Sequence, residues 1–183
     1  LAKIKGSILN AHFTSSSIIR SVYDGVQKLG FKSGRMLEPS AGIGNFITYA
    51  PERIKANSSI TAVELDNLTG NILKYLHDDV NVKVSGIQDA QIPNNSQDLV
   101  ISNVPFGNYK IFDKTLKGDK AEFQNRIHNY FFAKAIDMAR EGGIIAFVTS
   151  KGVMDAAGNE SLRKYLNNNA EFLGAVRLPN NAF

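Results

Sequence analysis

The chain has 183 residues, with 21 basic and 17 acidic side chains, a formal net charge of +4 and no cysteine. That length supports one domain with a real core. An ordinary composition, 43% hydrophobic and 21% charged, excludes a disordered chain, and the missing cysteines exclude a disulfide framework, a thiolate nucleophile and cysteine-ligated zinc.

No stretch approaches the roughly 18 consecutive apolar residues of a spanning helix, and Leu1 to Gly6 lacks the apolar core of a signal peptide. The three histidines have no metal-ligand spacing. The expectation is a cytoplasmic protein with neither membrane nor metal among its partners. A pI near 9.2 is compatible with a polyanionic partner but common in proteins that never meet one.

Ile18, Ile19, Val22, Val26 and Leu29 recur at helical spacing behind Ser15 to Ser17, and the pattern stops at Gly30. Arg35 to Leu37 reads as a strand, and Phe46 to Ala50 begins a helix that Pro51 limits. Ser59 to Leu65 is a second strand, Asp66 caps a helix over Leu68, Ile72, Leu73 and Leu76, and Val80 to Val84 alternates as a third strand. Asp98 to Ser102 forms a fourth. A long helix from Ile127 through Ala139 is expected to end at Gly142-Gly143, and the apolar run Ile144 to Thr149 to be a central strand buried on both faces. A helix near Glu160 to Leu166 and a last strand, Phe172 to Leu178, complete the pattern. Strands alternating with helices predict a mostly parallel sheet covered on both faces, with ligands at the carboxyl ends of its strands.

Three places on that edge carry chemistry. The turn Ala41-Gly42-Ile43-Gly44 joins a strand to a helix, where glycines serve either packing or the close approach of a ligand to backbone amides. Glu64 closes the second strand twenty residues later, where a carboxylate can accept two hydrogen bonds from a ribose diol; Asp66 is the better cap for the next helix. Asp89 ends the third strand region and either forms a turn or accepts from an adenine amino group, with Ile87 or Ile43 beside the ring. Asn103-Val104-Pro105-Phe106 follows the fourth strand. The Asn103 side-chain oxygen and the Val104 carbonyl are two acceptors for a planar NH2, favouring the pyramidal form whose lone pair can attack. Pro105 fixes the turn, and Phe106 offers a face to an extruded base. Lys110, Lys114, Lys117 and Lys120, with only Asp113 and Asp119 against them, make a basic segment that suits either a phosphate backbone or a solvated loop. His128, alone on its helix, reads as structural.

With Glu38-Pro39-Ser40-Ala41-Gly42-Ile43-Gly44-Asn45-Phe46, then Glu64, Asp89 and Asn103-Val104-Pro105-Phe106, the chain resembles the gamma-type N(6)-adenine-specific DNA methyltransferases in order and spacing over most of its length. That resemblance implies a Rossmann-like S-adenosylmethionine-dependent fold and methyl transfer to adenine in DNA. It assigns Glu38, Pro39, Ser40, Ala41, Gly42, Gly44, Glu64, Leu65 and Asp89 to the cofactor. His12-Phe13-Thr14-Ser15 is similar to the family's aromatic-Thr-Pro motif, which assigns Thr14 to the methionine carboxylate; Ser15 stands where that family has proline. Val104 replaces the first proline of the catalytic tetrad, a form similar to that of some large methylase-helicase-like proteins of mobile elements and phages, and the replacement is expected to loosen the turn. Residues 1–183 are expected to form one catalytic domain, entered through a helical segment over 1–34. The terminal strand hairpin is incomplete and no target-recognition domain follows, which implies further domains in a longer parent chain. Methylation of a protein glutamine amide or an RNA guanine amine, and a cofactor-binding module without turnover, are the alternatives.

Overall fold

The computed structural model describes residues 14–107 and 109–179; His12 and Phe13 lie outside them. Five strands form one sheet: β1 (Arg35–Glu38), β2 (Ser59–Glu64), β3 (Asn81–Val84), β4 (Gln97–Asn103) and β5 (Ala139–Val148). Around them lie α1 (Ser16–Lys28), α2 (Asn45–Thr48), α3 (Glu52–Ala56), α4 (Asn67–Leu76), α5 (Ile127–Met138), α6 (Gly152–Asp155) and α7 (Glu160–Asn169), with 3-10 turns at Gly118–Asn125 and Ala157–Asn159. The spatial order is β3-β2-β1-β4-β5, and every pairing is parallel.

Alternation along the strands divides the core in two. Met36, Ala62, Leu99 and Ile101 face one layer, with Ile19, Tyr23, Phe46, Ile54 and Leu73 from α1 to α4. Their neighbours Leu37, Val63 and Val100 face the other, with Ile127, Tyr130, Phe131 and Leu162 from α5 and α7. Successive side chains on opposite faces of a pleated strand produce this division, and a helix layer on each face is the usual cover of a parallel sheet.

The helix starts follow the expected chemistry. Ser15 accepts from the Ile18 amide, and Asp66 accepts from the Thr69 amide at 2.8 Å. Pro51 does more than end a helix, because it caps α3, an element the sequence pattern missed.

Three expectations change. The helix α5 stops at Met138, and Ala139 is already extended and paired with Gln97. The Gly142-Gly143 pair lies inside β5 at a register irregularity, with Gly142 at φ +71. A Cβ on Gly143 would lie 2.8 Å from the Gln97 carbonyl oxygen, so these glycines form a bulge against β4 rather than a helix end. Arg140 pairs with Asp98 beside that bulge, and the Arg35 amide donates to Asp98 at 2.7 Å. Second, β5 pairs only with β4 among the described residues, and Ile144 to Phe147 are half-buried, so the apolar run is an edge strand. Third, residues 172–178 form no strand. They pair with no strand among the described residues, although β5 keeps a free edge, and Phe172 and Val176 are exposed.

One buried network holds the segment that follows β4. The Asp113 carboxylate accepts from Tyr130 Oη at 2.8 Å, from the Thr115 amide at 2.8 Å and from Thr115 Oγ1 at 2.6 Å, and it pairs with Lys134 Nζ at 3.2 Å. Burial alone would raise the carboxyl's pKa, but these donors and the Lys134 charge hold it below the usual carboxylate range. Asp113 therefore does not offset the neighbouring loop lysines, as the sequence suggested; it anchors the loop to α5. Removing one partner of a buried pair leaves the other charge uncompensated. Asp113→Ala is expected to cost about 3–5 kcal/mol, measured by urea denaturation. A loss below about 1 kcal/mol would show that the pair behaves like an exposed one.

Candidate active site

The chain leaves β1 toward β2 on one side and reaches β4 on the other, so the loops after β1 and β4 diverge. Ligands of open parallel sheets bind at such a switch point. Here the carboxyl ends of β1, β2 and β4 border a cavity of about 550 Å³. Ser102 Oγ donates to the Ser40 carbonyl at 3.1 Å, and the Ala41 amide donates to the Val63 carbonyl at 2.9 Å, fixing the three strand ends to one another.

The two glycines of the first turn have separate roles. Gly42 lies at φ +56 on the cavity wall, and nothing stands within 4 Å of the place its Cβ would occupy. A ligand can reach the backbone there. Gly44, at φ +86, is buried instead: its Cβ would lie 2.6 Å from Leu73 Cδ1 and 2.8 Å from His77 Nε2. It lets the turn pack on α4.

Glu64 is not free, although Asp66 does take the helix cap. Its Oε2 accepts the Gly42 amide and its Oε1 the Asp66 amide, both at 2.8 Å. An ionised carboxylate has about four acceptor positions, so two remain for a diol after both amides are held. The same side chain shapes the glycine loop and presents its remaining lone pairs to the cavity.

Glu38 ends β1 at the cavity wall and is 3% exposed. Its Oε2 is buried without a hydrogen-bond partner among the described residues. Burial first, then the charge of Glu64, pushes its pKa well above the usual carboxylate range. Tyr23 packs behind it and donates to the Phe46 carbonyl at 2.9 Å; burial and Glu38 push the phenol up as well.

The turn after β4 is held in an unexpected way. The Val104 amide donates to the Val148 carbonyl at 3.0 Å, and its side chain is fully buried. A proline has no such donor. Valine therefore does not loosen the turn; it extends the β4–β5 ladder by one bond. Asn103, the last residue of β4 and in register with Val148, lines the cavity together with Val104, Pro105 and Phe106.

The cavity thus unites Thr14, Glu38, Ser40, Ala41, Gly42, Glu64 and the tetrad 103–106. Pro39, Gly44, Leu65 and Asp89 are absent from its wall. Leu65 is 73% exposed. Asp89 is exposed in a turn five residues beyond Val84, where β3 ends, and accepts from Gln88 at 3.0 Å. Asn45, Asp66, Thr69 and Tyr109 also line the cavity. Each adjoins or closely follows a recognised motif, the one signal that could have found them.

Of the four lysines, Lys110, Lys114 and Lys117 are exposed beside the network of Asp113. Lys120 differs, being bound to Asp137 and placed over the Tyr165 ring. Burial alone would lower its pKa, but Asp137 raises it, and the ammonium is already committed. Among the described residues no cluster of acids and histidines could hold a metal, and no helix is long and apolar enough to cross a membrane.

A parallel sheet with a glycine turn after β1, an acid after β2 and an Asn-aromatic tetrad after β4 defines the Rossmann-like fold of S-adenosylmethionine-dependent methyltransferases. The chain belongs to the Eco57I restriction-modification methylase family, whose sequence profile matches residues 11–183. It is 31% identical over 97% of its length to defense against restriction protein B of Escherichia phage P1, and covers 8% of that protein. It is 26% identical over 91% of its length to modification methylase CviBIII of Paramecium bursaria Chlorella virus NC1A, covering 44% of it. In fold it is similar to a type I restriction-modification methyltransferase subunit of Streptococcus thermophilus, at a TM-score of 0.68 and 17% identity, over 85% of this chain and 38% of that one. The chain is thus less than half the length of the curated relatives described here.

The residues present fit S-adenosylmethionine. Gly42 leaves the backbone open, Glu64 keeps acceptors for a ribose, and the unpaired Glu38 oxygen suits an ammonium. Gly42→Ala is expected to weaken cofactor binding at least tenfold in calorimetry and to cost about 1–2 kcal/mol for its left-handed φ. Gly44→Ala should act on thermal stability first, through Leu73 and His77. Equal effects of the two variants on both readouts would contradict the division.

Glu38 gives a pH signature. A buried carboxyl that keeps its proton in the fold releases it on unfolding, so above the usual carboxylate range the folded state binds more protons and stability falls as pH rises. Glu38→Gln removes that dependence. In ligand-free protein the melting temperature of the variant should exceed that of the wild type by more at pH 8 than at pH 5; an equal difference at both values would rule out the protonated carboxyl.

Proposed function

We propose that this chain is the catalytic module of an adenine-specific DNA methyltransferase, moving a methyl group to the exocyclic N6 amine. The observation that carries the reading is the cavity wall shared by Gly42 and Glu64 with Asn103, Val104, Pro105 and Phe106. Membership of a restriction-modification methylase family supports DNA as the substrate. The greater length of its relatives supports action within a longer polypeptide.

S-adenosylmethionine, when bound, supplies a methyl group on a sulfonium sulfur. Glu64 is assigned to the ribose, and Glu38, Ser40 and Gly42 to the remainder of the cofactor, with Thr14 for its carboxylate. Asp89 remains a proposal for the adenine ring on sequence spacing alone. The target adenine leaves the duplex and stacks on Phe106. Asn103 and the Val104 carbonyl accept its two N–H groups, which localises the nitrogen lone pair and aligns it for direct displacement. A bound sulfonium would supply the methyl carbon to that lone pair and leave as the thioether, and the amine would give one proton to water. No covalent intermediate with the protein is required.

Exposed Lys110, Lys114 and Lys117 are assigned to the phosphate backbone; Lys120 drops out because Asp137 holds it. A transfer assay with labelled methyl donor on DNA, RNA and protein tests the reading. Label in adenine of DNA is the expected result, whereas label in a glutamine amide or in RNA guanine would overturn it. Asn103→Ala is expected to lower transfer about 10²–10³-fold, as for loss of a preorganised polar contact in a transition state, while calorimetry shows cofactor affinity retained. Undiminished turnover in this variant would remove Asn103 from the mechanism.

A further inference from the structure

A second hollow, of about 340 Å³, adjoins the first and shares Phe106 and Gly107 with it. Among the described residues, Arg126, His128 and Ser150 also line it. None of these three belongs to the motifs that carry the cofactor or the amine.

Arg126 is held in place by neutral groups. Its Nη1 donates to Asn159 Oδ1 at 3.0 Å, and Asn129 donates to the same oxygen at 2.9 Å. Asn159 is 1% exposed, and its own amide donates to the Gly152 carbonyl at 2.7 Å, so it is a fixed support. Gly158 leaves space for the guanidinium, since a Cβ there would lie 3.1 Å from Nη2.

Among the described residues no carboxylate pairs with Arg126, whereas Arg35, Arg140, Lys120 and Lys134 each have one. A half-buried cation fixed by an amide oxygen and left without a counter-ion is prepared for an anion from outside. The surroundings agree. Arg126 is the N-cap residue of α5, which begins without a side-chain cap, so the positive end of a twelve-residue helix adds to the field. His128 Nδ1 is buried without a partner, and Ser150 brings a hydroxyl.

We propose that this hollow is an anion subsite for the phosphodiester of the nucleotide whose base stacks on Phe106, with Arg126 as its charge, Ser150 and His128 as hydrogen-bonding partners, and Asn159 as the positioning residue. The occupant rests on the methylase reading above, while the anion chemistry rests on the hollow itself. Because Phe106 borders both cavities, a base on one side of it and its phosphate on the other would be bound by adjoining surfaces. Arg is suited to this role by its planar fork of donors, which matches two phosphate oxygens.

The test uses the whole chain and a short single strand carrying one adenine between abasic positions, so that no recognition sequence is needed. A second probe has neutral methylphosphonates on either side of that adenine. Affinities are read by fluorescence anisotropy. Arg126→Gln is expected to weaken binding of the charged probe about 10- to 100-fold, the range for a hydrogen bond to a charged group. Neutralising the linkage should weaken the wild type similarly, and the variant should lose no more than about twofold further. Ser150→Ala should lose about 3- to 10-fold with the same coupling, and it serves if the arginine variant does not fold.

Equal losses for charged and neutral probes would overturn the proposal, as would no binding of the charged probe by the wild type. Weakened cofactor binding in Arg126→Gln with probe affinity intact would do the same, assigning the arginine to the cofactor carboxylate. Coupled binding without methyl transfer would preserve the subsite while removing the methylase reading.

Discussion

Everything at the functional edge depends on the reversal of strand order at β1. Because β2 and β3 extend the sheet to one side and β4 and β5 to the other, the turns after β1 and β4 diverge and open a cavity between them. Parallel pairing then places every strand's carboxyl end on the same edge. An acid after β2 and an amide after β4, far apart in the chain, meet there without any local sequence relation. The ladder that aligns Asn103 with Val148 and adds the Val104 amide carries that geometry to the turn after β4.

Polar groups in this edge perform structural and chemical work together. Glu64 spends one lone pair on each of two backbone amides and keeps the rest for a ligand. Glu38 is the opposite case, a buried carboxyl beside another acid, with one oxygen left without a partner among the described residues. A buried unsatisfied group costs stability, and such costs gather where a ligand is to be met. The Asp113 network on the far side of the tetrad carries no such deficit. Its carboxylate is surrounded by Tyr130, Thr115 and Lys134, which makes the following loop a firm support for exposed lysines.

Charge placement separates cations that hold the fold from those available to a ligand. Lys120, Lys134 and Arg140 are neutralised within the chain. Lys110, Lys114 and Lys117 are exposed, and Arg126 is held by an amide. Composition gave only a modest basic excess, which says little about nucleic acid. The informative quantity is the set of cations left without acids beside the turn after β4, and it exists only after the chain has folded.

By itself the sequence determined the strand–helix alternation, the start of α1 within Ser15 to Ser17, the cap at Asp66 and the three motifs, because periodicity, capping and turn chemistry act over a few residues. It also placed Glu38, Glu64 and Asn103 at strand ends and Gly42 in the turn after β1, all of which line one cavity. It failed where a long-range pairing outweighed the local pattern. Gly142-Gly143 resembles a helix end, but the Gln97 carbonyl makes it a bulge in β5. Residues 172–178 have the apolar character of a strand and no partner among the described residues. Asp89 lies five residues beyond β3 and off the cavity wall, a placement that strand and turn patterns do not set. Only the tertiary structure decided which glycine lines the cavity, which lysine is paired with an acid and which cation is held by an amide instead, since each depends on atoms contributed by distant parts of the chain.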